Sequence, residues 1–184
     1  MLDWAAVAAG RRGSEAFLKP LVPLLLAFAA IGHWWFVAAL ALCVAGDVLL
    51  LPQIDRFVPG LIAFLAGHVA FIAGLAGLGI HLGGLAAGGA AAALIAALLA
   101  PPLLRSAPRA LRTPVAIYMA VILVMAAVAS GSLRPAAIAG AALFLVSDSM
   151  LAWQRFRGPL PTGRLGVMVS YHLAIGFLTI AAWS

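Results

Sequence analysis

The fold of this chain is decided by the stretch FVPGLIAFLAGHVAFIAGLAG, residues 57–77. A membrane-spanning helix needs about 20 apolar residues, and this stretch carries no titratable side chain except His68. The same character extends over all 184 residues, of which 66% are apolar and 9% charged. Soluble domains are about 45–50% apolar and about 25% charged. The composition therefore excludes a soluble globular protein and a disordered chain.

Proline, glycine and charged residues divide the apolar sequence into seven runs. We therefore predict an all-α fold, a polytopic membrane helix bundle of about seven transmembrane helices. Pro20 and Pro23 are expected in the first turns of the first span, and most other prolines near span ends. The chain is predicted to be a single integral-membrane domain, 1–184, with a short cytosolic segment at 1–17 and spans at about 18–32, 33–51, 57–77, 82–100, 114–130, 135–153 and 163–183.

The basic residues predict how these spans are oriented. With seven spans, one side of the membrane holds Arg134 and the other holds the remaining ten basic residues. Cytosolic segments carry an excess of Lys and Arg, so the N-terminus is predicted to be cytosolic. The net charge of +6 is then explained by topology and by contact with anionic membrane lipid, and no nucleic-acid partner is expected.

The fourth predicted span, GGLAAGGAAAALIAALLA, is mostly glycine and alanine. Gly84 and Gly88 lie four residues apart in it. Small residues at this spacing let the backbones of two membrane helices approach closely. We expect a packing role for this span.

Two acidic residues lie inside predicted spans, Asp47 in CVAGDVLLL and Asp148 in FLVSDSMLAW. An ionisable residue there costs about 2.5–3.5 kcal/mol, so it usually has a function or a partner. Each lies about 6–8 Å from the cytosolic end of its span at the helical rise per residue, so both can face one cavity. Two carboxyl groups in such a site can hold one proton between them, which suits acid–base catalysis. Alternatively, each acid pairs with a cytosolic arginine such as Arg56 or Arg155.

The remaining polar residues of the spans are few. We consider as substrate-binding or orienting groups Lys19, His68, Tyr118, Ser147, Tyr171 and His172. Lys19 can either extend to the lipid headgroups or hold a substrate phosphate. No short ligand spacing such as HExxH is present, so we expect neither a metal nor another cofactor.

The order and spacing of several of these residues resemble the YhhN family of membrane lysoplasmalogenases. The resemblance covers about residues 18–180 and rests on Lys19-Pro20, Gly46-Asp47, Phe64, Gly67-His68, Tyr118, Gly140, Phe144, Ser147-Asp148 and Tyr171. Members of the family resemble eight-span proteins that have an extra N-terminal helix. Residues 1–9 here are too short to supply that helix. Ile175 stands where the family often has Gln.

The resemblance implies an ether hydrolase that cleaves the vinyl ether of a lysoplasmalogen to a fatty aldehyde and glycerophospho-ethanolamine or -choline. Asp47 and Asp148 would be its acid and base, in an order that remains open. Lys19 and nearby arginines would hold the phosphate, and His68 and Tyr171 would orient the acids or water. The expected partners are the lysophospholipid substrate and membrane lipid. We expect the bacterial inner (cell) membrane, with the active site toward the cytosol, and make no prediction of oligomeric state.

Two other functional classes use acids inside the membrane. An intramembrane aspartyl protease would show GxGD and a later PAL triplet, but Val44-Ala45-Gly46 precedes Asp47 and no PAL follows Asp148. A proton-coupled membrane transporter, or a lipid-binding membrane protein, could use the same acids and is the alternative kept here.

Overall fold

The computed structural model describes residues 12–184. This part of the chain forms seven α-helices and no strand. The helices are α1 (Arg12–Ala29), α2 (Trp34–Leu49), α3 (Phe57–Gly77), α4 (Leu82–Ser106), α5 (Arg109–Gly131), α6 (Pro135–Phe156) and α7 (Gly163–Trp183). The prediction of an all-α fold is confirmed.

Six of the helices form a closed ring. Neighbours around the ring pack in the order α1, α2, α3, α5, α6 and α7, and α7 returns to contact α1. The helix α4 lies outside this ring and packs mainly on α5. Aromatic side chains fill the centre, where Phe71 of α3 contacts Phe36 of α2 and Phe144 of α6 edge to face. The ring therefore surrounds a packed core.

Five of the helices, α3 to α7, are long and apolar enough to cross a membrane. The helix α2 has 16 residues, about 24 Å at the helical rise, which is less than the hydrocarbon thickness of about 30 Å. The described apolar part of α1 is Lys19–Ala29. The expectation of a membrane helix bundle is thus confirmed at the level of five candidate spans.

The boundaries agree most closely for the third and seventh spans, where α3 and α7 match 57–77 and 163–183. The first apolar stretch begins at Lys19, close to the predicted span start, whereas the helix α1 that contains it is already present at Arg12, within the expected segment 1–17. Residues 1–11 of that segment lie outside the described part of the chain. Pro20 and Pro23 consequently lie well inside α1 and not in its first turns.

The ends of α4 and α5 also differ from the prediction. The helix α4 continues beyond residue 100 through Pro101 and Pro102 to Ser106, whose hydroxyl donates to the Pro102 carbonyl at 2.9 Å. Each proline removes a hydrogen bond to the carbonyl group four residues earlier, a loss that membrane helices tolerate better than soluble ones. The helix α5 begins five residues before the predicted start, at Arg109.

The packing role expected for the glycine-rich span is confirmed. A Cβ atom on Gly84 would lie 2.5 Å from the Ser130 carbonyl oxygen of α5, and one on Gly88 would lie 2.5 Å from the Ser130 Cβ. Neither position has room for a side chain. The two glycines therefore set the close approach of α4 to α5.

Candidate active site

Asp47 lies on α2 and is fully buried. Its carboxylate is 3.3 Å from the Lys19 ammonium of α1, and it accepts a 2.9 Å hydrogen bond from the Tyr171 hydroxyl of α7. We call Lys19, Asp47 and Tyr171 the lysine cluster. A buried carboxylate that receives a cation and a hydroxyl donor is stabilised in its ionised form.

Gly46 explains how this part of α2 packs. A Cβ atom on Gly46 would lie 2.5 Å from the Phe64 ring of α3, so only glycine admits the ring at this point. The Phe64 ring in turn contacts Tyr171 edge to face, with centroids 5.8 Å apart. The glycine before Asp47 therefore lets Phe64 support the tyrosine that hydrogen-bonds the carboxylate.

Asp148 lies on α6 in a second group, which we call the histidine cluster: His68 of α3, Tyr118 of α5 and Asp148. The Tyr118 hydroxyl donates to Asp148 Oδ2 at 2.5 Å, and His68 Nε2 lies 3.7 Å from the same oxygen. His68 Nδ1 is 2.6 Å from the Phe64 carbonyl oxygen, one helical turn earlier. Three helices thus meet at the Asp148 carboxyl group.

Two aromatic rings lie between the clusters. Phe144 contacts His68 at 4.5 Å and Tyr171 at 5.5 Å between centroids. Phe64 contacts Tyr171 through its ring and His68 through its carbonyl group. The two carboxyl groups therefore belong to one buried region but have separate partners.

A narrow apolar cavity of about 60 Å³ opens beside the histidine cluster. Tyr118, Asp148 and Ser149 supply polar groups to its wall. The rest of the wall is apolar, and includes Leu61, Ile95, Leu99, Leu103, Ile122 and Leu145. At this volume the cavity suits only the few carbons of a hydrocarbon chain that lie next to the Asp148 carboxyl group.

A larger polar cavity of about 360 Å³ lies beside the lysine cluster. Its wall carries Lys19, Arg155 and Arg164 as cations, together with Asp55 and Gln154. Arg155 is 3.3 Å from Asp55 and stacks over the Phe57 ring. Leu50 and Leu151 line both cavities, so the apolar and the polar spaces adjoin.

Six of the eight predicted site residues come together as the two clusters. The other two belong to neither cluster: Ser147 donates to the Val167 carbonyl at 3.0 Å, and the His172 ring packs on the Tyr171 ring. The expectation that both acids face one cavity is wrong, because Asp148 lines the apolar cavity whereas Asp47 points to Lys19. The arginine pairing considered for the acids also fails for Arg155, which pairs with Asp55.

Sequence reasoning missed the acidic and amide groups of the polar cavity. Asp55 and Gln154 lie in or beside the loops that follow α2 and precede α7, where polar residues are ordinary. The sequence does not single out Arg164 among the ten basic residues that predict the topology. Their common side of the membrane was the only sequence signal that could have grouped them.

Of three comparisons with known proteins, one finds a match, and that match is to a family. A comparison with curated proteins finds no match, and a comparison with solved structures finds none. The model of the YhhN family matches residues 14–182, which is nearly the whole chain and includes both clusters. The chain belongs to the YhhN family.

Proposed function

We propose that this protein is a lysoplasmalogenase-type ether hydrolase that converts a lysoplasmalogen to a fatty aldehyde and glycerophospho-ethanolamine or -choline. The observation that carries the proposal is an apolar cavity with a carboxyl group in its wall, adjoining a cavity lined by three cations. A single-chain phospholipid has the same two parts. Membership of the YhhN family adds support.

The substrate would lie across both cavities. The carbons of its alkenyl chain nearest the ether would occupy the apolar cavity, and its phosphate would contact Lys19, Arg155 and Arg164 through charge-assisted hydrogen bonds. The vinyl ether, which joins the chain to the glycerol, would then lie near Leu50 and Leu151, where the cavities adjoin. No cofactor is required for this reaction.

The two clusters would divide acid–base catalysis between them. A carboxyl group protonates the vinyl carbon and produces an oxocarbenium ion, as in the two-carboxylate logic of glycosidases. The ionised Asp47 stabilises this cation from behind the cavity wall, and the proton of the attacking water in the polar cavity passes to Asp47 through Lys19, which lines that cavity 3.3 Å from the carboxylate. The resulting hemiacetal then separates into aldehyde and alcohol.

We further propose that all seven helices cross the membrane with a cytosolic N-terminus. The polar cavity lies at the bundle end that carries Asp55 and Arg155, whereas Arg134 lies at the opposite end, beside Ala181. The positive-inside rule then directs the polar cavity toward the cytosol. In this arrangement the protein would act in the bacterial inner membrane.

The decisive experiment measures aldehyde release by the purified protein in detergent. We expect Asp47→Asn and Asp148→Asn each to lower turnover by about 10²–10⁴-fold while the protein remains folded and monodisperse. The matched substrate control is the saturated alkyl ether of the same chain length, which has no double bond to protonate and should not react. Near-wild-type turnover by either variant would contradict the paired-acid mechanism.

The same assay separates the enzyme from the alternative. A proton-coupled membrane transporter or a lipid-binding membrane protein would leave the lipid chemically unchanged. If folded wild-type protein releases no aldehyde, substrate movement should be measured in sealed proteoliposomes.

The headgroup assignment has its own test. Arg164→Gln should raise KM by about 10-fold, because one charge-assisted contact to the phosphate is lost. Arg157→Gln is the matched control, since Arg157 stacks on Trp153 and does not line the polar cavity. Equal KM values for the two variants would exclude a phosphate contact at Arg164.

A further inference from the structure

The hydrogen bond of His68 determines which of its ring nitrogens carries a proton. His68 Nδ1 is 2.6 Å from the Phe64 carbonyl oxygen. A carbonyl oxygen can only accept a hydrogen bond, so Nδ1 must be the donor. In the neutral ring, Nε2 is then a bare acceptor.

His68 Nε2 is buried and has no hydrogen-bond partner among the described residues. The polar atom it faces is Asp148 Oδ2, 3.7 Å away, and Oδ2 already accepts a hydrogen bond from Tyr118. If His68 were neutral and Asp148 ionised, two acceptors would face each other in a buried site. Since such unsatisfied groups cost free energy, the contact needs one proton between the two atoms.

One proton completes a hydrogen-bond chain with a single direction. Tyr118 donates to Oδ2, Oδ2 donates to Nε2, and Nδ1 donates to the Phe64 carbonyl group. Closing the 3.7 Å gap to an ordinary hydrogen bond requires a shift of less than about 1 Å. The terminal carbonyl group prevents the reverse direction.

The proton could rest on either partner. On His68 it would create a buried ion pair, whose desolvation is costly, whereas on Asp148 it leaves both groups neutral. The described lysine of the site, Lys19, lies beside Asp47 in the other cluster. The neutral arrangement is therefore favoured.

We propose that His68 and Asp148 share one proton, that the proton rests on Asp148, and that His68 is the positioning residue that keeps Asp148 an acid. Given the proposed function, on which this last step rests, Asp148 is the acid that protonates the substrate. The open assignment of the two carboxyl groups is thereby resolved, with Asp47 as the carboxylate.

The proton transfers then balance. The π electrons of the vinyl group form a C–H bond with the Asp148 proton at the carbon that is not bonded to oxygen. The lone pair of the ether oxygen then stabilises the other carbon as an oxocarbenium ion. Water bonds to the cationic carbon and gives a proton to the Lys19 amine as the Lys19 ammonium gives one to Asp47. Asp47 returns this proton through Lys19 to the ether oxygen as the C–O bond breaks, and the hemiacetal hydroxyl proton restores Asp148. One water is consumed.

The test uses full-length protein with ¹⁵N-labelled histidine in lipid nanodiscs at neutral pH. His68 is assigned by the signal lost in His68→Gln or, if that variant does not fold, by removing His33, His81 and His172 in turn. We expect a neutral ring with its proton on Nδ1. A proton on Nε2, or an imidazolium ion, would overturn the proposal.

Infrared difference spectra test the other half of the pair. The wild type should show a protonated carboxyl band that is absent from Asp148→Asn and present in Asp47→Asn. Absence of the band from the wild type, or its loss in Asp47→Asn alone, would contradict the assignment. Both spectra are independent of aldehyde release, so they can succeed even if the proposed reaction is wrong.

Kinetics test the positioning role. His68→Phe keeps an aromatic ring between Phe144 and Tyr118 but removes the acceptor for the Asp148 proton. We expect a fall in kcat of about 100-fold with KM unchanged. An unchanged kcat would refute the role of His68 in the reaction.

Discussion

Replacing Lys19 by methionine tests how the ionised Asp47 is held. The side chains of Lys19 and Asp47 are 16% and 1% exposed, and their charged atoms are 3.3 Å apart. Methionine keeps the apolar length of lysine and removes the charge. Asp47 would then retain the Tyr171 hydroxyl as its donor but lose its cation.

The expected cost follows from this environment. Removing one partner of a buried ion pair costs about 3–5 kcal/mol, because the remaining charge is uncompensated. The polar cavity beside Lys19 lets water approach, which places the value near the lower limit, at about 3 kcal/mol. For a chain of this size, that predicts a Tm about 6–12 °C lower.

The assay is thermal unfolding in detergent, with Asp47→Asn and the double variant measured in parallel. Asp47→Asn should cost about 1 kcal/mol, because the Lys19 ammonium can still reach water in the cavity. The double variant should lose at least about 1 kcal/mol less unfolding free energy than the two single variants lose in total. A Lys19→Met variant as stable as the wild type, or strictly additive effects, would refute this account of the lysine cluster.

Two further variants test the packing and the apolar cavity. Gly46→Ala should destabilise the protein by about 1–3 kcal/mol, because the new methyl group would overlap the Phe64 ring. Gly89→Ala is the control, since Gly89 has open space around it and this variant should not lose stability. Equal unfolding temperatures for the two variants would refute this account of the packing. Ala96→Phe, which fills the apolar cavity, should raise KM most for long-chain substrates. Ala97→Phe, on the exposed side of α4, is the control and should leave KM unchanged. If Ala96→Phe does not change how KM depends on chain length, the alkenyl chain binds elsewhere.

Much of the fold follows from local sequence. Transfer of a helix into lipid depends on the summed polarity of about 20 consecutive residues, so α3 and α7 could be delimited to the residue from composition and flanking proline or glycine. The first turns of α1 and the last turns of α4 could not, since their helical structure continues into segments that carry arginine. Hydropathy detects an apolar span, but it does not show how far the helix continues past the ends of that span.

The site residues also include some that the sequence could predict and some that it could not. Asp47 and Asp148 could be selected from sequence because an ionisable residue in an apolar run is costly and therefore rare. Their partners could not, because these helices are apolar on most sides and the sequence does not show which face turns inward. Ser147 and Asp148 are adjacent in sequence, yet one hydroxyl ties α6 to α7 and the other side chain faces the apolar cavity.

The sequence by itself determined the helical class, the five apolar helices that are long enough to cross a membrane, and the two acidic residues that lie inside apolar helices. Each of these depends on composition within a single segment. Only the tertiary structure decided that Lys19 meets Asp47, that His68 meets Asp148, and that an apolar and a cationic cavity adjoin between them. These contacts depend on the rotation and neighbours of each helix, which are determined by packing across the whole bundle.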